Sequence, residues 1–376
     1  MGKSKSNKSG IGKKILIMII LIAMIIGIAF AYIKYMENGS GQDMANQNVY
    51  GLNQIEGDKK EPIKVEKKEV QIYQGTERPI AVMIDNHDDA RPQVSINKAY
   101  VVYEIIVEGG FTRMMPIFKG QDVDQIGPVR SARHYFLDYA LENDAIYVHF
   151  GQSPQAGSDI KNLNVNDIEG IYYSSNDFVR VKGKYAPHNV MVSTKKILKI
   201  AEEKGYRTTS NEKSVLKYNA YGVDLDSENI AEKVSIPFSN SQNVTFEYDA
   251  DNKVYVKYAN NKKQVDWVTK EDVTFKNVIV TFIENYTLKD TENKGRQGLL
   301  NTGEKKGYYI TNGKAIEITC TKDARASKTV YKDLDGKEIE VNDGNTYIGI
   351  CPLNAKVTIE PGVAVDEPET DGNNIE

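Results

Sequence analysis

The chain has 376 residues, 40% hydrophobic and 27% charged, with a formal net charge of −4. Five lysines among the first fourteen residues carry +5, so the remainder carries −9. A mildly acidic body excludes general nucleic-acid binding, which needs a basic face for phosphates, and the length beyond the first 76 residues suits two ordinary domains.

Ile15 to Ile33 is an uncharged run of 19 residues. A helix of that length, at about 1.5 Å per residue, spans roughly the hydrocarbon core of a bilayer. The lysines before it predict a cytoplasmic tail over 1–14, a transmembrane helix over 15–33 and an extracytoplasmic remainder, a single-pass protein of the cell membrane. Ala29-Phe30-Ala31 also resembles a signal-peptidase site, so cleavage after Ala31 is the alternative, and it exports the chain too. A lipoprotein signal needs a cysteine at the cleavage point, and none precedes Cys320. Residues 34–76 are polar or densely charged and read as a disordered stalk.

Residues 77–212 predict a mixed α/β domain. Pro79 to Ile84, Ala99 to Val107, Phe111 to Phe118, Ala145 to Phe150 and Val190 to Val192 read as strands. Pro116 lacks an amide N–H and points to an edge position for its strand. Ser131 to Glu142, Gln155 to Leu163 and Lys195 to Lys204 read as helices, the last capped by Ser193 or Thr194 and stopped by Gly205. After a linker over 213–231, residues 232–362 alternate like antiparallel sheet. Asn312-Gly313, between Tyr308–Thr311 and Ala315–Thr319, is the strongest hairpin signal, because Asn-Gly suits a type I′ turn. Residues 363–376 are an acidic tail. The expected fold class is α+β, with the N-terminal transmembrane helix followed by the mixed α/β domain and the smaller β-rich one. Cys320 and Cys351 are the only cysteines, and either a disulfide or two buried thiols fits them.

Several segments resemble a known family. Pro79-Ile-Ala-Val-Met-Ile-Asp-Asn86, Ala90-Arg-Pro-Gln93, Val102-Tyr-Glu104, Glu108-Gly-Gly-Phe-Thr-Arg113, Ile126-Gly-Pro-Val-Arg-Ser-Ala-Arg133 and Ala186-Pro-His-Asn189 are similar to the YerB-like lipoproteins of Gram-positive bacteria. That is a domain family of unknown function with an N-terminal and a C-terminal part. The resemblance runs over roughly 77–360. It implies a surface-exposed envelope protein and supplies no activity.

The candidate ligand-binding residues are Arg113, Arg130, Arg133 and Arg180. Arg130 and Arg133, three apart at the start of a predicted helix, would share a face beside free backbone N–H groups, an arrangement that holds phosphate or carboxylate. Salt bridges to Asp85, Glu104 or Glu108 are the plainer reading. Candidate acids and bases are Asp85, Glu104, Glu108, His149 and His188. Glu104 and Glu108 sit about 13 Å apart along a strand, too far for a glycosidase pair without a bulge, and Arg113 is the natural partner of Glu104. The four histidines, His87, His134, His149 and His188, lack close metal-ligand spacing, so no metal site and no cofactor is expected. The reading is an extracytoplasmic protein that binds a cell-wall polymer or envelope protein through a fixed Arg/Glu/His cluster. The alternative is a hydrolase or transferase acting on an anionic envelope glycan or glycolipid.

Overall fold

In the computed structural model of the protein, which describes residues 67–362, the apolar run after Pro79 forms two short strands, β1 (Ile80–Val82) and β2 (Ile84–Asp85). Strands β3 (Val101–Ile106) and β4 (Thr112–Phe118) follow, then helix α1 (Phe136–Glu142), β5 (Ile146–His149), helix α2 (Pro154–Asn162) and β6 (Asp167–Glu169). A small hairpin of β7 (Val179–Arg180) and β8 (Val190–Met191) precedes helix α3 (Thr194–Glu203) and β9 (Lys217–Asn219). Strand after strand follows through the described residues: β10 (Lys233–Pro237), β11 (Asn243–Asp249), β12 (Val254–Ala259), β13 (Lys262–Lys263), β14 (Thr274–Phe275), β15 (Asn277–Ile283), β16 (Asn285–Thr287) and β17 (Gln297–Leu299). The last are β18 (Gly303–Thr311), β19 (Lys314–Lys322), β20 (Val330–Lys332), β21 (Glu340–Asn342), β22 (Thr346–Pro352) and β23 (Thr358–Glu360).

Eleven strands form one mixed sheet in the order β20-β19-β18-β15-β22-β3-β4-β1-β5-β6, with β2 also against β4. Side chains alternate across it. Ile80, Val82, Ile84 and Val102 enter one core, whereas Ala81, Met83, Tyr103 and Ile105 enter the other. The first core is closed by a second sheet, β13-β12-β11-β10-β23 with β14 on β12, and by Ile197 and Ile200 of α3. Phe136, Leu137 and Ala140 of α1 and Ala156 and Ile160 of α2 close the other.

The expected fold class is corrected. The described residues are dominated by strands, and their three α-helices are only 7, 9 and 10 residues long. Among the described residues no helix is long and apolar enough to cross a membrane. The tail 1–14, the predicted span 15–33, the stalk to residue 66 and the tail 363–376 lie outside the described residues. Residues 70–76 are docked rather than loose: the amides of Gln71 and Ile72 donate to the Asp343 carboxylate at 2.8 and 2.9 Å. The expected α/β and β-rich parts share the large sheet, because β22 pairs in parallel with both β15 and β3. The stretch 213–231 buries Val215, Leu216 and Leu225 and supplies β9 to a parallel pair with β21.

Pro116 is not at an edge: β4 is paired on both sides. The register of Ile80 with Phe118 and of Ile84 with Met114 sets Val82 opposite Pro116, and there the pairing breaks, because proline offers no N–H. The predicted helix over 131–142 begins only at Phe136. The chain entering it is held in bridge pairing instead: the amide of Arg130, just before it, donates to Met83 O at 2.8 Å and the Ala132 amide to Gly151 O at 2.8 Å. Asn312 and Gly313 have φ of 48° and 74°, the positive values that a type I′ turn between β18 and β19 needs. Cys320 and Cys351 are both free and buried. They belong to different cores, on opposite faces of the sheet, which rules out a disulfide.

Glu104 of β3 faces the core between the two sheets. It is fully buried and lies 2.9 Å from the Lys257 Nζ, itself 2% exposed. The expected Arg113 partner is therefore replaced by a lysine from the other half. Lys257 follows from the alternation in β12, where Tyr255, Lys257 and Ala259 are the buried set. Asn86 Nδ2 and Thr112 Oγ1 donate to Glu104 Oε1 at 2.9 and 2.7 Å. Burial pulls the Lys257 pKa down, and the Glu104 charge opposes that pull. Removing one partner strands a buried charge, so Lys257→Ala costs about 3–5 kcal/mol in urea unfolding. The double variant Glu104→Leu/Lys257→Met is expected to cost much less than the sum of its single changes.

Candidate functional site

Strand β2 ends in Asp85-Asn86-His87, and consecutive side chains point to opposite sides of a strand. Asn86 turns inward: its Nδ2 reaches Glu104 and Thr112, and its Oδ1 accepts from Gln93 Nε2 at 2.8 Å and Arg91 Nε at 3.2 Å. Arg91 Nη2 in turn donates to Gln242 Oε1 at 2.7 Å, a second tie between the halves. Asp85 turns the other way. Its Oδ2 lies 2.7 Å from His188 Nδ1 and 3.1 Å from Arg130 Nε, and its Oδ1 accepts from the His87 amide at 3.2 Å. The carboxylate is 4% exposed. Among the described residues, neither Nη of Arg130 makes a hydrogen bond, and a quarter of its side chain reaches solvent.

Arg113 stands directly across from Asp85 in the β2–β4 register. It is nearly buried and donates to the Ser131 carbonyl. Burial pushes its pKa down to about 10, and the Arg133 and Arg130 charges push the same way against Glu108 and Asp85. Arg133 grips Glu108 with two bonds, at 2.7 and 2.9 Å. For Glu108, burial works to raise the pKa, but the Arg133 hydrogen bonds prevail and hold it below the usual carboxylate range. The cluster thus sets three arginines against two carboxylates.

Other expected site residues lie apart. Glu104 is sealed against Lys257, so no glycosidase pair with Glu108 exists. His149 is fully buried, 3.2 Å from Asp167 and 3.3 Å from Glu169, and cannot meet a substrate. Arg180 is exposed, bonds Asn189 Oδ1 at 2.7 Å and lies over the Phe150 ring. The helix-terminus argument for Arg130 and Arg133 fails, because both precede α1. Sequence reading missed Asn86, Arg91 and Lys257, and also Lys184, whose Nζ donates to Ala90 O at 2.9 Å and sits over Trp267. Only Lys257 left a signal, its place in the inward alternation of β12. A surface groove lies elsewhere, lined in part by Lys119, Lys195, Lys199 and Glu202.

Two family models match the chain: "Protein of unknown function (DUF3048) N-terminal domain" over residues 66–207 and the corresponding C-terminal domain over 234–348. The chain belongs to the DUF3048 family. Asp85, Arg113, Arg130, Arg133 and His188 all fall in the N-terminal DUF3048 part, and Lys257 in the C-terminal part. A member from Bacillus subtilis (strain 168), named "Putative lipoprotein YerB", is 29% identical over 289 residues, covering 77% of this chain and 85% of that protein. The crystal structure of the YerB protein from Bacillus subtilis superposes with a TM-score of 0.68, covering 78% of this chain and 97% of that one.

The buried His149 gives a pH test. Burial alone would lower its pKa, but the Asp167 and Glu169 hydrogen bonds raise it to about 9. A raised folded pKa gives stability that is complete below the unfolded value of about 6.5 and is lost as pH climbs through 9. Urea unfolding is expected to weaken by on the order of 3 kcal/mol across that window. His149→Gln should be less stable at pH 6 and flat over the same range.

Proposed function

We propose that this DUF3048 member works at the outer face of the cell membrane and holds an anionic polymer of the cell envelope on the surface around Arg130. The observation that carries the reading is the excess of arginine over carboxylate, with the Arg130 Nη groups unspent. A guanidinium in that state offers paired donors to a phosphate or carboxylate. Exposed aromatic rings support a sugar-bearing ligand: Tyr185, 89% exposed, lies in the loop that delivers His188, and its carbonyl holds the His188 amide at 2.8 Å. The name of the Bacillus relative, a lipoprotein, supports a place at a membrane.

A second reading, a hydrolase or transferase on an anionic envelope glycan or glycolipid, draws on the Asp85–His188 contact, which has the geometry of an oriented general base. Against it, the groove described above is lined by other residues.

The test incubates the purified full chain with fragmented Gram-positive cell wall and compares Arg130→Ala/Arg133→Ala. Retention is expected to drop about tenfold or more, the size of one lost charged hydrogen bond, and to weaken with added salt. Equal retention by a variant that melts like the parent removes the proposal. Soluble fragments released by the parent and not by the variant would favour the enzyme.

A further inference from the structure

His87, Asp89 and His188 bring one donor atom each to within 4.8 Å of one another. Two come from the turn after β2, where the His87 Nδ1 caps the short 3-10 helix Asp88–Ala90 by accepting from the Asp89 amide at 3.2 Å. The third comes from the loop between β7 and β8. The two imidazole centroids are 5.0 Å apart, with ring planes 18° from parallel. Spacing in the sequence hides this group, because the two histidines are on distant segments.

A second observation points to a ligand. Asp85, buried and itself unsuited to reach outward, fixes the His188 ring through Nδ1 at 2.7 Å. A ring whose Nδ1–H donates a hydrogen bond to a carboxylate presents the lone pair of Nε2, the arrangement by which carboxylates orient metal-binding histidines. From this geometry we propose that His87, Asp89 and His188 bind one divalent transition-metal ion of the zinc class. Two imidazoles and a carboxylate suit such an ion, whereas calcium and magnesium need more oxygen donors.

The donors must close slightly, since bonds of about 2.0–2.2 Å hold opposed ligands no more than roughly 4.4 Å apart. Two of them have room to do so, the side chain of Asp89 being 73% exposed and that of His87 36% exposed, and the His87 ring must give up the hydrogen bond that its Nδ1 accepts from the Asp89 amide so that a nitrogen lone pair can face the ion. His188, 14% exposed and pinned by Asp85, is the fixed point. Three protein ligands leave a coordination position for water or an anion. The proposal stands without the polymer reading, because its ligands are His87, Asp89 and His188 rather than the arginines, with Asp85 the one residue common to both.

The test titrates the full chain, solubilised in detergent and stripped with chelator, with zinc chloride by calorimetry and with cobalt chloride by visible absorption. One ion per chain is expected, at micromolar affinity or tighter, with visible cobalt bands. His87→Ala and His188→Ala should each weaken binding about a hundredfold, and Asp85→Asn about tenfold through loss of ring orientation. His87 is partly exposed, so its variant keeps the fold, and an unchanged melting curve without metal confirms that. No saturable binding below about 1 mM overturns the site. So does one-to-one binding that survives His87→Ala, or binding that depends on His188 alone.

Discussion

Glu104 and Lys257 meet where water is excluded, and the fit of one sheet on the other depends on keeping the two groups together there. Stripping solvent from two charges is costly, and their attraction offsets that cost only when the remaining lone pairs are also satisfied. Asn86 and Thr112 do this for Glu104, and the Tyr347 ring lies against Lys257. The pair also sets registry. A slip of β12 by one residue would swing Lys257 to the outside and abandon the carboxylate in an apolar layer. Apolar contacts such as Phe246 on Tyr347 supply area, and the same slip would turn Tyr255 out of the core as well.

The same pair reaches the surface through one residue. Asn86 bonds Glu104 on one side and receives Arg91 and Gln93 on the other. Its neighbour Asp85 is thereby fixed where the Arg130 and His188 side chains converge. Charged groups on a surface usually wander, because holding long side chains still costs entropy that water-screened attraction does not repay. Here the carboxylate at the centre is buried and its backbone belongs to a strand, so the arginine and imidazole around it are presented in one geometry.

Local pattern carried much of the strand reading. The alternation in β11, β12, β18 and β19 and the Asn312-Gly313 turn were legible because each depends on residues a few positions apart. The short helices α2 and α3 were legible for the same reason, α3 also through Ser193 as its cap, whereas the Ser153 cap of α2 went unread. What escaped depends on partners far along the chain. Residues 131–135 follow helical spacing, yet Gly151 and Ser153 claim the backbone of Ala132 first. Pro116 looked like an edge residue because nothing local reveals that β2 takes over from β1 on the far side of the gap. Arg113 was assigned to Glu104 by proximity on adjacent strands, and no short-range signal could announce a lysine more than a hundred residues away. Of the site, the residue types were visible, whereas their grouping around Asp85 was not.

The position of β22 has a consequence for the order of assembly. This strand is among the last to be made, yet it occupies the middle of the large sheet, wedged in parallel between β3 and β15. Until it arrives, β3 has a vacant flank, and the amino-terminal strands form a slab with one raw margin. The protein cannot mature from front to back as its chain emerges. Its centre is a keystone set late, and a chain cut short before residue 346 would be left with an open seam through its heart.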